Sequence, residues 1–207
     1  MVGAFYMPRM VYINIHSLLS LPNLQFASGM GEIIKHGLIR DASYYQWLKD
    51  HQAAIQAHDE DILEEMVYGS CLIKKNVVET DPKEQGIRAY LNFGHTIGHA
   101  IEKMSDFSLY HGQCVAIGMH SGAYLSFKRG HITKDQYEDI LAMIQGFDLP
   151  VSVSDYDAGE ILANTKSDKK MVGDKIKYIV LEKIGQAAID MTFSAVSYTH
   201  LTLPTIA

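Results

Sequence analysis

A histidine-rich segment near the middle of the chain contains the side-chain types that most often bind metal ions. It reads LNFGHTIGHAIE from Leu91, includes His95, His99 and Glu102, and is followed by His111. His95 and His99 lie four residues apart, so a helix would carry both imidazoles on one face, with Glu102 one turn further along. This spacing can place more than one ligand on a single metal ion, and the segment is a candidate metal site.

A chance arrangement is the alternative, because the chain has ten histidines and many amphipathic helices carry two of them on one face. The metalloprotease form of the motif is excluded, since Thr96 follows His95 and no glutamate lies between the histidines to act as a general base. Gly94 and Gly98 each cost a helix about 1 kcal/mol relative to alanine. Their presence indicates that a ligand or another backbone comes close to this segment.

Composition narrows the class of partner. The chain has 207 residues, a formal net charge of -6 and a pI near 5.9. An overall negative charge argues against binding nucleic acid or an anionic membrane surface, so a small molecule is the expected partner. No apolar run approaches the roughly 20 residues of a membrane span. Cys71 and Cys114 both lie in apolar stretches and are predicted to be reduced core thiols, which is typical of a cytoplasmic protein.

The apolar residues recur mostly at helical spacing, which predicts a largely helical domain. The predicted helices cover residues 28–39, a longer stretch from about 59, residues 111–127, and a stretch opened by a capping box at Thr133 and Gln136 and closed by Gly146 and Pro150. Small residues along 111–127 are expected to let neighbouring helices approach closely. Strand patterns occur at the margins, at 10–15 and at 176–181 with 187–191, the last two separated by a turn at 183–185.

A second group of candidate residues lies outside the histidine segment. Glu32 and Lys35 are three residues apart and would be neighbours on a helix, where a surface ion pair worth a few tenths of a kcal/mol is the ordinary explanation. Lys74, Arg88 and Asn92 precede the histidines and offer two cations and an amide to an anionic, hydroxylated substrate. A further basic group lies at 166–170.

Together these motifs resemble the C-terminal, metal-binding domain of 3-dehydroquinate synthase. The residues that carry the resemblance are, in family order, GAFY from Gly3 with Pro8, Leu21-Pro22, SGMGEIIK from Ser28, Asp81 with Glu84, GIR from Gly86, LNFGHTIGHAIE from Leu91, His111-Gly112 and Asp168-Lys169-Lys170. The implied fold is mainly α, a multi-helix domain over residues 1–193 with short β edge strands and a C-terminal hairpin. Residues 194–207 do not resemble the family and are interpreted as a non-native or disordered tail.

The resemblance also implies a site. It makes Glu32, His95 and His111 the ligands of a catalytic Zn²⁺, with Co²⁺ as a possible substitute, and leaves coordination positions open for substrate. The implied substrate-binding residues are Lys35, Lys74, Arg88, Asn92, His99, Lys169 and Lys170. His99 would then lie near the substrate phosphate rather than on the metal. Glu84 and Glu102 would orient ligands and cations.

The implied reaction converts 3-deoxy-D-arabino-heptulosonate 7-phosphate to 3-dehydroquinate and phosphate in the shikimate pathway, with NAD and zinc. A full family member carries an NAD-binding domain before the GAFY segment, whereas only Met1 and Val2 precede that segment here. The isolated chain is therefore expected to bind metal but to turn over slowly or not at all. A homodimer in the cytoplasm is expected for the full-length enzyme.

Two alternatives stay open. One is another sugar-phosphate cyclase of the same fold, such as a 2-deoxy-scyllo-inosose synthase, acting on a different sugar phosphate. The other is a non-catalytic, metal-binding helical fragment. The cations Lys74 and Arg88, together with Lys169 and Lys170, favour a substrate that has both a carboxylate and a phosphate.

Overall fold

The computed structural model describes residues 6, 8–106, 108–154, 156–165, 171–172 and 175–192. Helices form most of this part of the chain, as predicted. The elements in order are a 3-10 helix (Ile15–Ser20), α1 (Asn23–Arg40), α2 (Ala42–Asp50), α3 (Gln52–Gln56), α4 (Glu60–Thr80), a second 3-10 helix (Ile87–Asn92), α5 (His95–Met104), α6 (His111–Lys128), α7 (Lys134–Gly146), α8 (Ala158–Thr165), β1 (Met171–Val172), β2 (Lys175–Ile176), β3 (Tyr178–Lys183) and β4 (Gln186–Asp190).

Local side-chain hydrogen bonds define where several helices begin. The Asp59 carboxylate accepts from the Ile62 amide and opens α4 at the predicted place. Thr133 and Gln136 form the predicted capping box of α7, and that helix ends at Gly146. Helix α1 begins at Asn23, ahead of the predicted residue 28. Leu24 in its first turn is 54% exposed, so it adds nothing to the buried stripe from which the prediction was made.

The predicted strand at 10–15 is wrong. Residues 8–14 form no strand with any part of the chain that the structure describes, and Ile15 already begins a 3-10 helix. The physical reason is that β-branched and aromatic residues favour a strand only when a neighbouring strand accepts their hydrogen bonds and side chains. Val11 is 70% and Tyr12 80% exposed, so that packing is missing here.

The predicted C-terminal hairpin is confirmed. Strands β3 and β4 pair antiparallel, with Tyr178 opposite Asp190 and Leu181 opposite Ala187. Gly185 in the turn has a φ of +84°, and its amide donates to the Leu38 carbonyl at 2.8 Å, which ties the hairpin to the end of α1. Short β1 and β2 form a second antiparallel pair.

Helix α6 lies at the centre of the core and packs against α1, α5, α7 and β3. Its glycines permit close contacts with neighbouring helices, as was predicted from the small residues along 111–127. A Cβ on Gly112 would lie 1.8 Å from the Ser28 carbonyl oxygen of α1, and a Cβ on Gly118 would lie 1.8 Å from the Gly94 carbonyl oxygen at the start of α5. These contacts hold α1, α5 and α6 together where the candidate metal residues lie.

The two cysteines occupy different environments. Cys114 is buried in α6, and desolvation raises the pKa of its thiol to about 12, as expected of an inert core thiol. The same prediction for Cys71 is wrong, because this residue lies on the exposed side of α4. Among the described residues, no helix is both long and apolar enough to cross a membrane. The predicted boundary at residue 193 and the tail at 194–207 lie outside the described residues.

Candidate metal centre

Three helices bring the predicted metal-binding side chains together. Glu32 lies on α1, His95 and His99 lie one turn apart on α5, and His111 is the first residue of α6. The imidazole ring centroids of His95 and His99 are 5.1 Å apart, and that of His111 lies 5.2 Å from the first and 5.8 Å from the second. The helical spacing predicted for the histidine segment is therefore confirmed, with a third ring added from the next helix.

The Glu32 carboxylate lies between two of these rings. Its Oε1 atom is 3.5 Å from Nε2 of His95 and 3.8 Å from Nε2 of His111. A tetrahedral Zn²⁺ with bonds of about 2.1 Å holds its ligand atoms roughly 3.4 Å apart. Both distances from Glu32 Oε1 are thus close to what one bound metal ion requires.

His95 presents a lone pair toward Glu32. Its Nδ1 atom lies 3.2 Å from the Phe93 carbonyl oxygen, which can only accept, so Nδ1 carries the hydrogen. Desolvation and the charge of Lys35 lower the pKa of His95 to about 3, so the ring is neutral at physiological pH. Nε2 consequently faces the carboxylate without a proton.

His111 is oriented in the same way by a carboxylate. Its Nδ1 atom lies 3.3 Å from both Oε1 and Oε2 of Glu102, which accept its hydrogen, and in the neutral ring this leaves the lone pair on Nε2 facing Glu32. A carboxylate that holds the far nitrogen of a histidine is the usual companion of a metal-binding imidazole. Glu102 lies where the sequence predicted an orienting residue.

Glu32 itself is held in the ionised form. Its Oε2 atom accepts from the Lys35 ammonium group at 2.5 Å, and Lys35 is only 2% exposed. Partial burial opposes ionisation of the Glu32 carboxyl, but the charge of Lys35 and its hydrogen bond outweigh this cost and lower the pKa of Glu32. Oε1 has no hydrogen-bond donor anywhere in the described part of the chain.

The hydrogen-bonding states of Glu32, His95 and His111 determine whether these residues fit a metal ion. The buried Oε1 atom of Glu32 accepts no hydrogen bond within the described part of the chain. It faces Nε2 of His95, which carries no hydrogen, and Nε2 of His111, which carries none when that ring is neutral. Such atoms repel one another unless a cation lies between them, and imidazole with carboxylate is a ligand set that suits Zn²⁺. The residues fit a divalent metal ion.

The remaining predicted residues lie in different surroundings. Lys74 is exposed on α4, close enough for its charge to lower the pKa of His36. Arg88 and Asn92 lie on the second 3-10 helix, where Arg88 donates to the Pro82 carbonyl and Asn92 donates to Glu84, each at 2.9 Å. Lys169 and Lys170 lie outside the described residues.

Asp81 has a role that the sequence interpretation missed. Its carboxylate accepts from three backbone amides, those of Gln85 at 2.9 Å, Gly86 at 2.7 Å and Arg88 at 3.1 Å. These hydrogen bonds lower the pKa of Asp81, and the one from the Gln85 amide has the largest effect. The loop that leads to Arg88 is therefore shaped by one side chain. An aspartate directly after a long helix and shortly before a glycine is the signal that could have revealed it.

A second missed contact joins α1 to α4. His36 is 4% exposed, and its Nδ1 atom lies 2.8 Å from the Ser70 hydroxyl oxygen. Desolvation and the charge of Lys35 lower the pKa of His36 to about 4, so the ring is neutral. The spacing of four residues from Glu32 places both on one face of α1, and this was the available signal.

The chain also matches a known protein family. The family model described as "3-dehydroquinate synthase C-terminal" matches residues 29–171. The chain belongs to this family. The family resemblance read from the motifs is thereby confirmed.

Curated members of the family are similar to the chain over most of its length. The 3-dehydroquinate synthase of Syntrophotalea carbinolica is 43% identical over 190 residues, which is 91% of this chain and 52% of that protein. The enzyme of the same name from Colwellia psychrerythraea is 38% identical over 191 residues, 91% of this chain and 54% of that protein. The chain spans about half the length of the curated relatives it matches.

Solved structures share the fold. A 2-epi-5-epi-valiolone synthase from Streptomyces hygroscopicus subsp. jinggangensis, with NAD+ and Zn²⁺ bound, superposes with a TM-score of 0.83 at 19% identity and covers 93% of this chain and 54% of that one. A 2-deoxy-scyllo-inosose synthase complexed with carbaglucose-6-phosphate, NAD+ and Co²⁺ gives 0.81 at 22% identity, covering 100% and 58%. This chain therefore shares the fold of the corresponding part of these two synthases.

Proposed function

We propose that the chain is the metal- and substrate-binding part of a 3-dehydroquinate synthase, acting on 3-deoxy-D-arabino-heptulosonate 7-phosphate to yield 3-dehydroquinate and phosphate. The observation that carries this proposal is the orphaned Oε1 atom of Glu32, which faces Nε2 of both His95 and His111. Relatives of that name at about 40% identity support the choice of reaction.

The metal would be held by Glu32, His95 and His111, with Zn²⁺ as the first choice and Co²⁺ as a substitute. When bound, it would polarise a substrate hydroxyl or ketone oxygen as a Lewis acid. Lys35 keeps Glu32 ionised and ready to bind the cation. Phe93 and Glu102 hold the two imidazoles in the tautomer that points Nε2 at the metal.

The substrate would be held by cations and an amide. Lys35, Lys74, Arg88, Asn92, His99, Lys169 and Lys170 are the proposed binding residues. The substrate carries a carboxylate and a phosphate, and charge-assisted hydrogen bonds to these groups fix one orientation through successive steps. Arg88 suits the carboxylate because its planar guanidinium can donate two parallel hydrogen bonds.

NAD is assigned to the part of the longer relatives that this chain does not span. NAD would accept a hydride from the substrate and return it later in the reaction. Two solved structures of the same fold were determined with NAD+ and a Zn²⁺ or Co²⁺ ion, which supports the same pair of cofactors here. We expect the isolated chain to release little or no phosphate from substrate.

Zinc uptake tests the metal centre directly. Equilibrium dialysis of the chain is expected to show one tightly bound zinc ion, which is lost in Glu32→Ala, His95→Ala and His111→Ala. His131→Ala is the matched control, because this exposed histidine lies after the end of α6 and away from the site. Equal uptake by all five proteins would reject the metal centre.

A second experiment separates the 3-dehydroquinate synthase reaction from that of another cyclase. Calorimetric titration of the zinc-loaded chain compares 3-deoxy-D-arabino-heptulosonate 7-phosphate with glucose 6-phosphate, which lacks a carboxylate. We expect tighter binding of the former and a smaller difference in Arg88→Ala. Equal affinity for both ligands in the wild-type chain would favour a cyclase that uses a sugar phosphate without a carboxylate.

A further inference from the structure

A buried hydrogen bond joins helices α1 and α4. Nδ1 of His36 lies 2.8 Å from the Ser70 hydroxyl oxygen, and both residues are buried. The other buried residues of α4 are all apolar: Leu63, Met66, Ile73 and Val77. A hydrogen bond requires a defined distance and direction, whereas apolar contacts do not, so this pair limits how far α4 can slide along α1.

Stability alone does not account for a histidine at position 36. Its Nε2 atom is buried and has no hydrogen-bond partner in the part of the chain that the structure describes. A buried polar atom without a partner costs free energy of folding, and an apolar side chain would avoid that cost. What an apolar side chain could not supply is the directed contact with Ser70.

Each end of this hydrogen bond lies one helical turn from a proposed site residue. Glu32 precedes His36 by four residues on α1, and Lys74 follows Ser70 by four residues on α4. Side chains on a helix lean toward its N-terminus, so Lys74 leans back toward Ser70. Desolvation is the main cause of the lowered pKa of His36, and the charge of Lys74 contributes, which places this ammonium group near the ring.

The proposed metal ligands are held together by contacts that do not involve α4. All three lie on α1, α5 and α6. Helix α1 approaches α6 so closely that a Cβ on Gly31 would lie 2.8 Å from the Gly112 carbonyl oxygen. The position of Lys74 relative to the metal depends instead on how α4 packs against α1. A change in the hydrogen bond between these two helices can therefore move Lys74 without moving the ligands.

We propose that the hydrogen bond between His36 and Ser70 is a positioning contact, which holds the Lys74 ammonium group at the distance from the metal that the anionic substrate spans. This inference rests on the proposed function and adds two residues to it. Neither residue touches the substrate. Without their hydrogen bond α4 would shift, and a charge-assisted hydrogen bond from Lys74 to the substrate weakens when its donor is displaced.

A double-mutant cycle tests whether the effect passes through Lys74. The zinc-loaded chain is titrated with 3-deoxy-D-arabino-heptulosonate 7-phosphate in a calorimeter. We expect Ser70→Ala and Lys74→Ala each to weaken binding by about tenfold. In a chain that already carries Lys74→Ala, adding Ser70→Ala should weaken binding by less than about twofold. An equal loss in both backgrounds would overturn the proposal.

The substitutions at position 36 give an independent test of the same contact. His36→Ala should weaken substrate binding as Ser70→Ala does, whereas His36→Asn can still bond the hydroxyl and should lose less. Ser126→Ala is the matched control, because its buried hydroxyl accepts from the Leu181 amide at 2.8 Å. It lies about four turns from His111 on α6. Substrate affinity should not change in this control, and a loss as large as that of Ser70→Ala would reject the positioning role.

Zinc affinity shows whether the site has loosened as a whole. We expect Ser70→Ala and His36→Ala to bind zinc as tightly as the wild-type chain, because the ligands keep their positions. A parallel fall of zinc and substrate affinity in these variants would overturn the proposal.

The results distinguish this inference from the proposed function. If the zinc-loaded wild-type chain binds no substrate, both fail together. If it binds substrate and either Lys74→Ala or Ser70→Ala has no effect, only the positioning role is rejected and the proposed metal centre stands.

Discussion

The Oε1 atom of Glu32 and the Nε2 atom of His95 face each other at 3.5 Å, and neither carries a hydrogen at physiological pH. Two electron-rich atoms in a partly buried site cost free energy unless a cation joins them. This relationship depends on two neighbours, since the Phe93 carbonyl determines the His95 tautomer and Lys35 holds Glu32 ionised.

Glu102 is expected to influence zinc affinity without touching the metal. Glu102→Ala removes the acceptor that orients His111, so zinc should bind about 10- to 100-fold more weakly. Glu102→Gln keeps an oxygen acceptor and should lose less. Competition with a chromophoric chelator measures the affinity. Glu138→Ala, on the exposed face of α7, is the control and should leave zinc binding unchanged. A Glu102→Ala chain that binds zinc as tightly as wild type would refute the orienting role.

Gly112 is expected to tolerate no side chain. In Gly112→Ala the added Cβ would lie 1.8 Å from the Ser28 carbonyl oxygen, a backbone atom that cannot move without separating α1 from α6. The free energy of unfolding should fall by about 3 kcal/mol or more. Gly29→Ala on α1 is the matched control, because no heavy atom lies within 4 Å of the new Cβ. It should be neutral or stabilising by up to about 1 kcal/mol. Urea denaturation of both variants measures the difference.

Asp81 is expected to control the order of the loop before Arg88. Asp81→Ala removes the acceptor for the amides of Gln85, Gly86 and Arg88. Hydrogen exchange of these three amides should accelerate, while amides in the middle of α4 keep their wild-type rates. Asp81→Asn retains one carbonyl oxygen and should give intermediate rates. Unchanged exchange at all three amides in Asp81→Ala would show that the loop is held by other contacts.

His36 is expected to make stability depend on pH. Its pKa is lowered from an ordinary 6.5 to about 4 in the folded chain, so the unfolded chain binds the proton first as pH falls. Stability from this residue is present above about pH 6.5 and is lost progressively toward pH 4, by about 2 kcal/mol between pH 7 and pH 5.

The His36→Asn variant isolates this contribution. Asparagine can still bond the Ser70 hydroxyl but has no proton to gain in this range. Urea unfolding at about pH 7 and pH 5 should show a smaller loss of stability in the variant than in wild type. The same loss in both proteins would assign the pH dependence to other groups.

Local sequence patterns predicted where α4, α6 and α7 begin because the causes are local, whereas α2, α3 and α8 were not predicted. The Asp59 and Thr133 caps and the apolar stripes act within a few residues, and α4, α6 and α7 begin where those signals place them. The strand predicted at 10–15 failed because a strand needs a partner that no nearby residue can specify. Cys71 was misplaced for a related reason, since an apolar neighbourhood in sequence does not say which helix face meets the core.

By itself the sequence determined which residue types are available to a metal and that His95 and His99 lie one helical turn apart, since helix geometry follows from spacing. Tertiary structure decided the rest. Close contacts at Gly112 and Gly118 brought Glu32 and His111 to that turn, and the Phe93 carbonyl and Glu102 then selected which ring nitrogens face inward. These arrangements depend on the relative positions of atoms that are distant in sequence, so the spacing of residues along the chain cannot predict them.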